Sequence, residues 1–242
     1  MTKHFSLSVL AILASFSVSA ATLDVHGEIK VNGKTVIDGK GNLIQDKSDL
    51  IDLDDYFNAK PNRVVTLKNI NPNKYPDSTF TFHYDDKGQE FKEEESRNGT
   101  VIWSMEWKDR TDMSNIIERI NQWSSEDLDG NIIQHTQKTT YKNEFTTSTR
   151  YPEVQMGITA ARGDIYTQEL LTSNNTNHTI GAIEHVSEYQ SLTVLEKNSY
   201  KSESTTIQDC IIVLQDGPWM EKSQIRTYCK DYGLVQFGDF KL

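Results

Sequence analysis

The chain has 242 residues, 25 of them basic and 35 acidic, for a formal net charge of −10. An acidic chain with no basic patch excludes nucleic acid and anionic membrane surfaces as partners. Two cysteines, Cys210 and Cys229, are too few for a cysteine zinc site, and no histidine neighbours them in sequence. An even count in an exported chain predicts one disulfide.

The N-terminus opens "MTKHFSLSVLAILASFSVSA". A short basic start, an apolar run from about Phe5 to Val18, and small residues at Val18 and Ala20 match a secretory signal peptide over 1–20, cleaved near Ala20. The run is short for a membrane-spanning helix, and no second one follows. The expectation is a periplasmic or secreted protein with no transmembrane segment in its mature chain.

Residues 21–60 read as an N-terminal hairpin region, and residues 61–242 as an antiparallel β domain. The polar stretch "NAKPNR" (58–63) marks the boundary. In "IKVNGKTV", Asn32-Gly33 suits the two positive-φ positions of a tight hairpin turn. The segment "GEIKVNGKT" is near a phosphate-binding loop. It has five residues between its glycines instead of four, and its alternation is that of a β arm.

"SDLIDLDDYF" (48–57) predicts a short helix, with Ser48 as N-cap and acids near its positive end. "TDMSNIIERINQW" (111–123) spaces Ile116, Ile120 and Trp123 for a helix, and also fits a strand. The rest is short β-branched and aromatic runs broken by turns, which predicts strands. "KEEES" reads as a solvated arm, although Glu93 and Glu95 share a face as a glycosidase pair would. Trp103, Met105 and Trp107 lie at period two, so they share one face, either of the core or of an apolar ligand cavity.

Three stretches share Asp-x-x-Gly-[Asn/Gln]: "DGKGN" from Asp38, "DDKGQ" from Asp85 and "DLDGN" from Asp127. Each reads as a hairpin tip. The Asp accepts a hydrogen bond from the backbone two residues on, and the Gly takes the left-handed position. The third is also a weak calcium candidate through Asp127, Asp129 and Asn131. An EF-hand register places Thr136 where a bidentate Glu is needed, so no metal or other cofactor is expected. "ARGDIY" contains Arg162-Gly163-Asp164, which reads as a strand end or turn. No nucleophile elbow and no paired-histidine zinc motif occurs. An outer-membrane barrel would need arms with a consistently apolar outer face. Arms such as "EFKEEES" are charged on both faces.

The C-terminal segment is the most informative. With Cys210 opposite Cys229, the register sets Ile212 against Thr227 and Leu214 against Ile225, a mostly apolar face. The other face is mixed: Ile211, Val213, Gln215, Gln224, Arg226 and Tyr228. Opposed residues lie about 4.5–5.5 Å apart at Cα, within disulfide reach. The segment from Ser191 onward also resembles the ends of many exported bacterial proteins of unknown function. Asp209-Cys210-Ile211-Ile212-Val213, Tyr228-Cys229 and Gly233-Leu234-Val235 carry the likeness. The resemblance implies an open sheet or half-barrel like that of periplasmic lipoprotein carriers, and no catalytic residues.

The expectation is a mainly β protein: an antiparallel sheet, open or half-barrel, with one or two short helices. Its expected role is non-enzymatic binding of a hydrophobic ligand or another envelope protein. The alternatives are a surface interaction module of adhesin type and a hydrolase with a dispersed acidic site.

Overall fold

A computed structural model describes residues 27–31, 34–41, 50–71, 73–75, 77–126, 130–146, 153–202, 205–218, 220 and 222–242. The expected signal peptide, the Asn32-Gly33 turn, Asp127 and Asp129 lie outside the described residues. The chain divides into two compact units, Met1–Lys47 and Ser48–Leu242.

In the first unit, β1 (Ile29–Val31) pairs antiparallel with β2 (Lys34–Ile37). The turn after β2 forms as its sequence suggests. Asp38 Oδ1 accepts the Lys40 N–H at 2.8 Å, and Gly41 follows at φ +82°.

The second unit is a closed antiparallel barrel of twelve strands. Its first half comprises β4 (Val64–Asn69), β5 (Ser78–Tyr84), β6 (Glu90–Arg97), β7 (Thr100–Lys108), β8 (Ser114–Glu126) and β9 (Ile132–Phe145). Its second half comprises β11 (Thr159–Ser173), β12 (Ile183–Lys201), β13 (Thr206–Asp216), β14 (Gln224–Cys229), β15 (Gly233–Phe237) and β16 (Phe240–Lys241). Neighbours in the wall are neighbours in sequence, except where β11 pairs with β9 across β10 (Val154–Gln155) and where β16 returns to β4.

The wall is therefore closed, not open or half-closed as the sequence suggests. Two pairings close it. One joins β9 to β11, with Phe145 opposite Tyr166. The other joins β16 to β4, with Phe240 opposite Asn69 and Lys241 opposite Lys68. Neither has a tight-turn signature, so neither shows as a local pattern.

The segment before β4 packs with the barrel. β3 (Leu50–Ile51) pairs with β10 (Val154–Gln155), which leaves the wall between β9 and β11. A short helix, α1, spans only Asp54–Phe57. The expected helix over 48–57 shrinks because Leu50 and Ile51 are taken into strand pairing. Its start is held by Asp52, whose carboxylate accepts the Asp54 N–H at 3.0 Å. Ala59 then bridges Tyr232 and donates its N–H to Gly88 O at 2.9 Å. Gly88 belongs to the Asp85 turn, where Asp85 Oδ1 accepts N–H from both Lys87 and Gln89 at 2.8 Å. A Cβ at Gly88 would collide with the Ala59 carbonyl, so the turn needs glycine both for its φ of +80° and for space.

Residues 114–126 form strand β8, which settles the ambiguity at 111–123 in favour of a strand. Asn115, Ile117 and Arg119 alternate inward, and β8 pairs with β7 and β9 on its two sides. The Arg162-Gly163-Asp164 tripeptide is neither a strand end nor a turn; it runs within β11, with Gly163 opposite Tyr189. Arg162 and Asp164 face inward and bind each other at 2.8 Å.

The main core gathers Val65 and Leu67 of β4, Phe82 and Tyr84 of β5, Leu192 and Val194 of β12, and Ile211 and Val213 of β13. Ile51, Leu53 and Tyr56 join it from the segment before β4. The C-terminal hairpin has the register read from sequence, with Cys210 opposite Cys229, Ile212 opposite Thr227 and Leu214 opposite Ile225. Its orientation is the surprise. The mixed face turns inward, while Leu214 and Ile225 are 37% and 57% exposed. Cys210 and Cys229 form a disulfide within a second small core made with Tyr200, Ile207 and Val235.

A candidate binding cavity inside the barrel

Inward side chains of the barrel line a cavity of about 760 Å³ that is open to solvent over part of its boundary. A second space of about 540 Å³ adjoins it toward α1 and shares Glu90, Trp107, Arg110, Arg162 and Gln215 as lining. Period-two alternation builds the lining strand by strand. A twelve-stranded wall is wider than its inward side chains can fill.

One wall of the cavity is aromatic. Trp103, Met105 and Trp107 on β7 all line it, together with Phe80 and Phe82 of β5 and Phe237 of β15. Phe80 meets Phe237 edge-on at 5.0 Å and Trp103 at 6.5 Å between ring centroids. Facing them on β9 and β11, Phe145 packs on Tyr166 at 5.1 Å.

The remaining lining is polar and charged. Four acids (Glu90, Glu93, Asp164, Glu188) and four arginines (Arg110, Arg119, Arg162, Arg226) face the same space. Arg162 Nη2 donates to Asp164 Oδ2 at 2.8 Å, and Gln190 Nε2 donates to the same oxygen at 3.4 Å. Asn143 donates to Asn115 at 3.0 Å and accepts from Gln168 at 3.0 Å, a chain of amides that satisfies buried polar groups. Arg226 Nη2 donates to Gln224 Oε1 at 3.2 Å, and its guanidinium lies 5.7 Å from the Phe237 ring centre. Arg119 lies 5.5 Å over the Tyr141 ring.

This setting shifts the acids. Burial raises the Glu90 and Glu93 carboxyls well above the usual carboxylate range, and the Glu93 charge raises Glu90 further. Arg226 and Arg119 pull Glu93 back only in part. Burial likewise raises Glu188, opposed by a hydrogen bond with Tyr166.

Sequence reading misses most of these charged residues. "KEEES" looks like a solvated arm, yet Glu93 faces the cavity, opposite Phe82 on β5 and Met105 on β7. The available signal is shared parity. Glu93 pairs with positions whose side chains share the face of Trp103, Met105 and Trp107. Glu95 lies on that same face and is held by Arg97 at 2.8 Å.

Among the described residues, no group of three or more His, Cys, Asp or Glu side chains is placed to hold a metal. No helix among them is long and apolar enough to cross a membrane. No protein-family model, no curated protein and no solved structure matches the chain.

Proposed function

We propose that the chain is an exported, non-enzymatic binding protein that holds a small ligand inside its barrel. The cavity carries this reading. Its volume lies within the range of small-molecule sites, and its mix of flat apolar surface and convergent polar groups is what such sites use. The outer face of β5–β8 supports it. His83 and Lys92 both reach Glu94, at 2.9 and 2.8 Å, and Lys108 reaches Glu118 at 2.7 Å. These ion pairs stand on the outside of β5–β8, where lipid contact would be costly. Closure also leaves the described wall strands without a free edge, which weighs against an interaction module that recruits partners by strand addition.

The test is native mass spectrometry of protein purified without unfolding, with titration of a solvatochromic dye beside it. A releasable mass or saturable dye uptake is expected. Protein that carries nothing and takes up no dye would refute the reading.

The hydrolase reading has one observation in its favour, the convergence of Glu90, Glu93, Asp164 and Glu188 on one space. Turnover abolished by Glu93→Gln with binding retained would establish it. Absence of turnover on substrates that bind would remove it.

A further inference from the structure

We propose that the ligand of the barrel cavity is a short saccharide; this rests on the binding reading above and names its chemistry. Apart from the Arg162–Asp164 pair, the acids and arginines of the cavity do not touch one another. Arg110 donates to the backbone carbonyl of Glu90 at 2.8 Å, Arg119 lies over Tyr141, and Arg226 binds Gln224. None of the three comes within 4.0 Å of a carboxylate oxygen among the described residues. Glu90 and Glu93 make no ion pair there either, although Arg226 and Arg119 lie near enough to act on Glu93.

Two buried atoms are also left open. Asp164, 4% exposed, uses Oδ2 for Arg162 and Gln190 while Oδ1 has no partner among the described residues. Arg226 Nε is in the same position.

Each ligand class can be tested against this array. An apolar ligand would strip water from these groups and return nothing. An ammonium would face the arginines, and a carboxylate would answer the arginines but offer no donor to the open Asp164 oxygen. A hydroxyl accepts from a guanidinium and donates to a carboxylate at once, so a polyhydroxylated molecule bridges the gaps. The aromatic wall supplies what a hydroxyl array lacks. Trp103 and Trp107 line the cavity with rings that suit the C–H faces of sugars.

The experiment screens the full chain on a glycan array spanning neutral, acidic and amino sugars, then titrates the strongest hit by calorimetry and tryptophan fluorescence. Palmitate and the dye run as separate arms. Saturable saccharide binding is expected, weakened about tenfold or more by Asp164→Asn and by Arg119→Gln, each of which removes one charged hydrogen-bonding group. Circular dichroism and the melting curve check that each variant folds, and Arg119, which holds no ion pair, is the safer change. If no glycan binds while palmitate or the dye does, the saccharide assignment is wrong and the binding reading stands. If nothing binds, both fail. Saccharide binding indifferent to both substitutions would also overturn the assignment.

Discussion

On β13 the inward residues Ile211 and Val213 are sealed at 0% exposure, against Leu192, Val194 and Leu234. On β7 the inward residues Trp103, Met105 and Trp107 stay half-buried around open space. Both strands obey the same alternation and belong to the same wall. The difference lies in what the facing strands bring. β12 flanks β13 and brings Leu192 and Val194 into the same apolar cluster, which Leu234 of β15 joins. β6 and β8 flank β7 and set Glu93 and Arg119 on either side of Met105, charged groups that cannot collapse together without losing water. Residue chemistry, not backbone geometry, decides which part of the barrel is solid.

The sharpest test of that contrast is Leu192→Ala on the packed side. Leu192 is fully buried, so the loss should be about 3 kcal/mol or more, lowering the denaturant midpoint at unchanged slope. A loss below about 1 kcal/mol would mean the packed side is no better packed than the cavity.

Replacing both Cys210 and Cys229 by serine should cost about 3 kcal/mol, mainly through the unfolded chain, given their sequence separation of 19. Reducing agent should produce the same shift in the unaltered protein and none in the variant.

On the hollow side, Trp103→Ala should cost only about 1 kcal/mol, because the ring already borders a cavity. Stability lost on the scale of Leu192→Ala would show that the tryptophan is ordinary core.

Stability also depends on pH. Glu90 and Glu93 hold protons more tightly when folded than when unfolded, since burial raises both above the ordinary value of 4.5. The folded state therefore binds more protons between that value and the raised ones, and stability falls as pH rises through this window. Melting temperatures at pH 5 and pH 8 should differ in that direction, and the Glu90→Gln/Glu93→Gln double variant should flatten the difference. An unchanged slope in that variant would place the proton uptake elsewhere.

Much of the wall is legible in the chain. Cys210 and Cys229 index the β13–β14 hairpin, and the register they imply is the observed one. The Asp85 turn forms through the backbone contacts its residues suggest. Such features are local, so short spacings encode them. The inward direction of that hairpin is not legible. Leu214 and Ile225 look like core but are exposed, while Arg226 and Gln224 face inward because a cavity lies there to hydrate them. The helical spacing at 116, 120 and 123 misleads for a similar reason, since a strand with mixed chemistry on both faces has no clean period. Closure is invisible because it joins distant, featureless strands. β16 is two residues long, and β4 carries no mark of its partner.

That closing pair also governs how the barrel can assemble. Almost every other seam joins strands adjacent in the chain, where little entropy opposes their meeting. The link between Lys68 and Lys241 spans the whole arc. Tyr84 reinforces it by accepting the Leu234 N–H at 3.2 Å, a contact possible only because Gly233 has no side chain to obstruct the phenol. The hairpins are short-range events and can form independently, but a ring has no inside until its ends meet. The hollow and its charges are therefore complete only when both long seams, β9 to β11 and β16 to β4, are made, and the cost of enclosing them falls on those two.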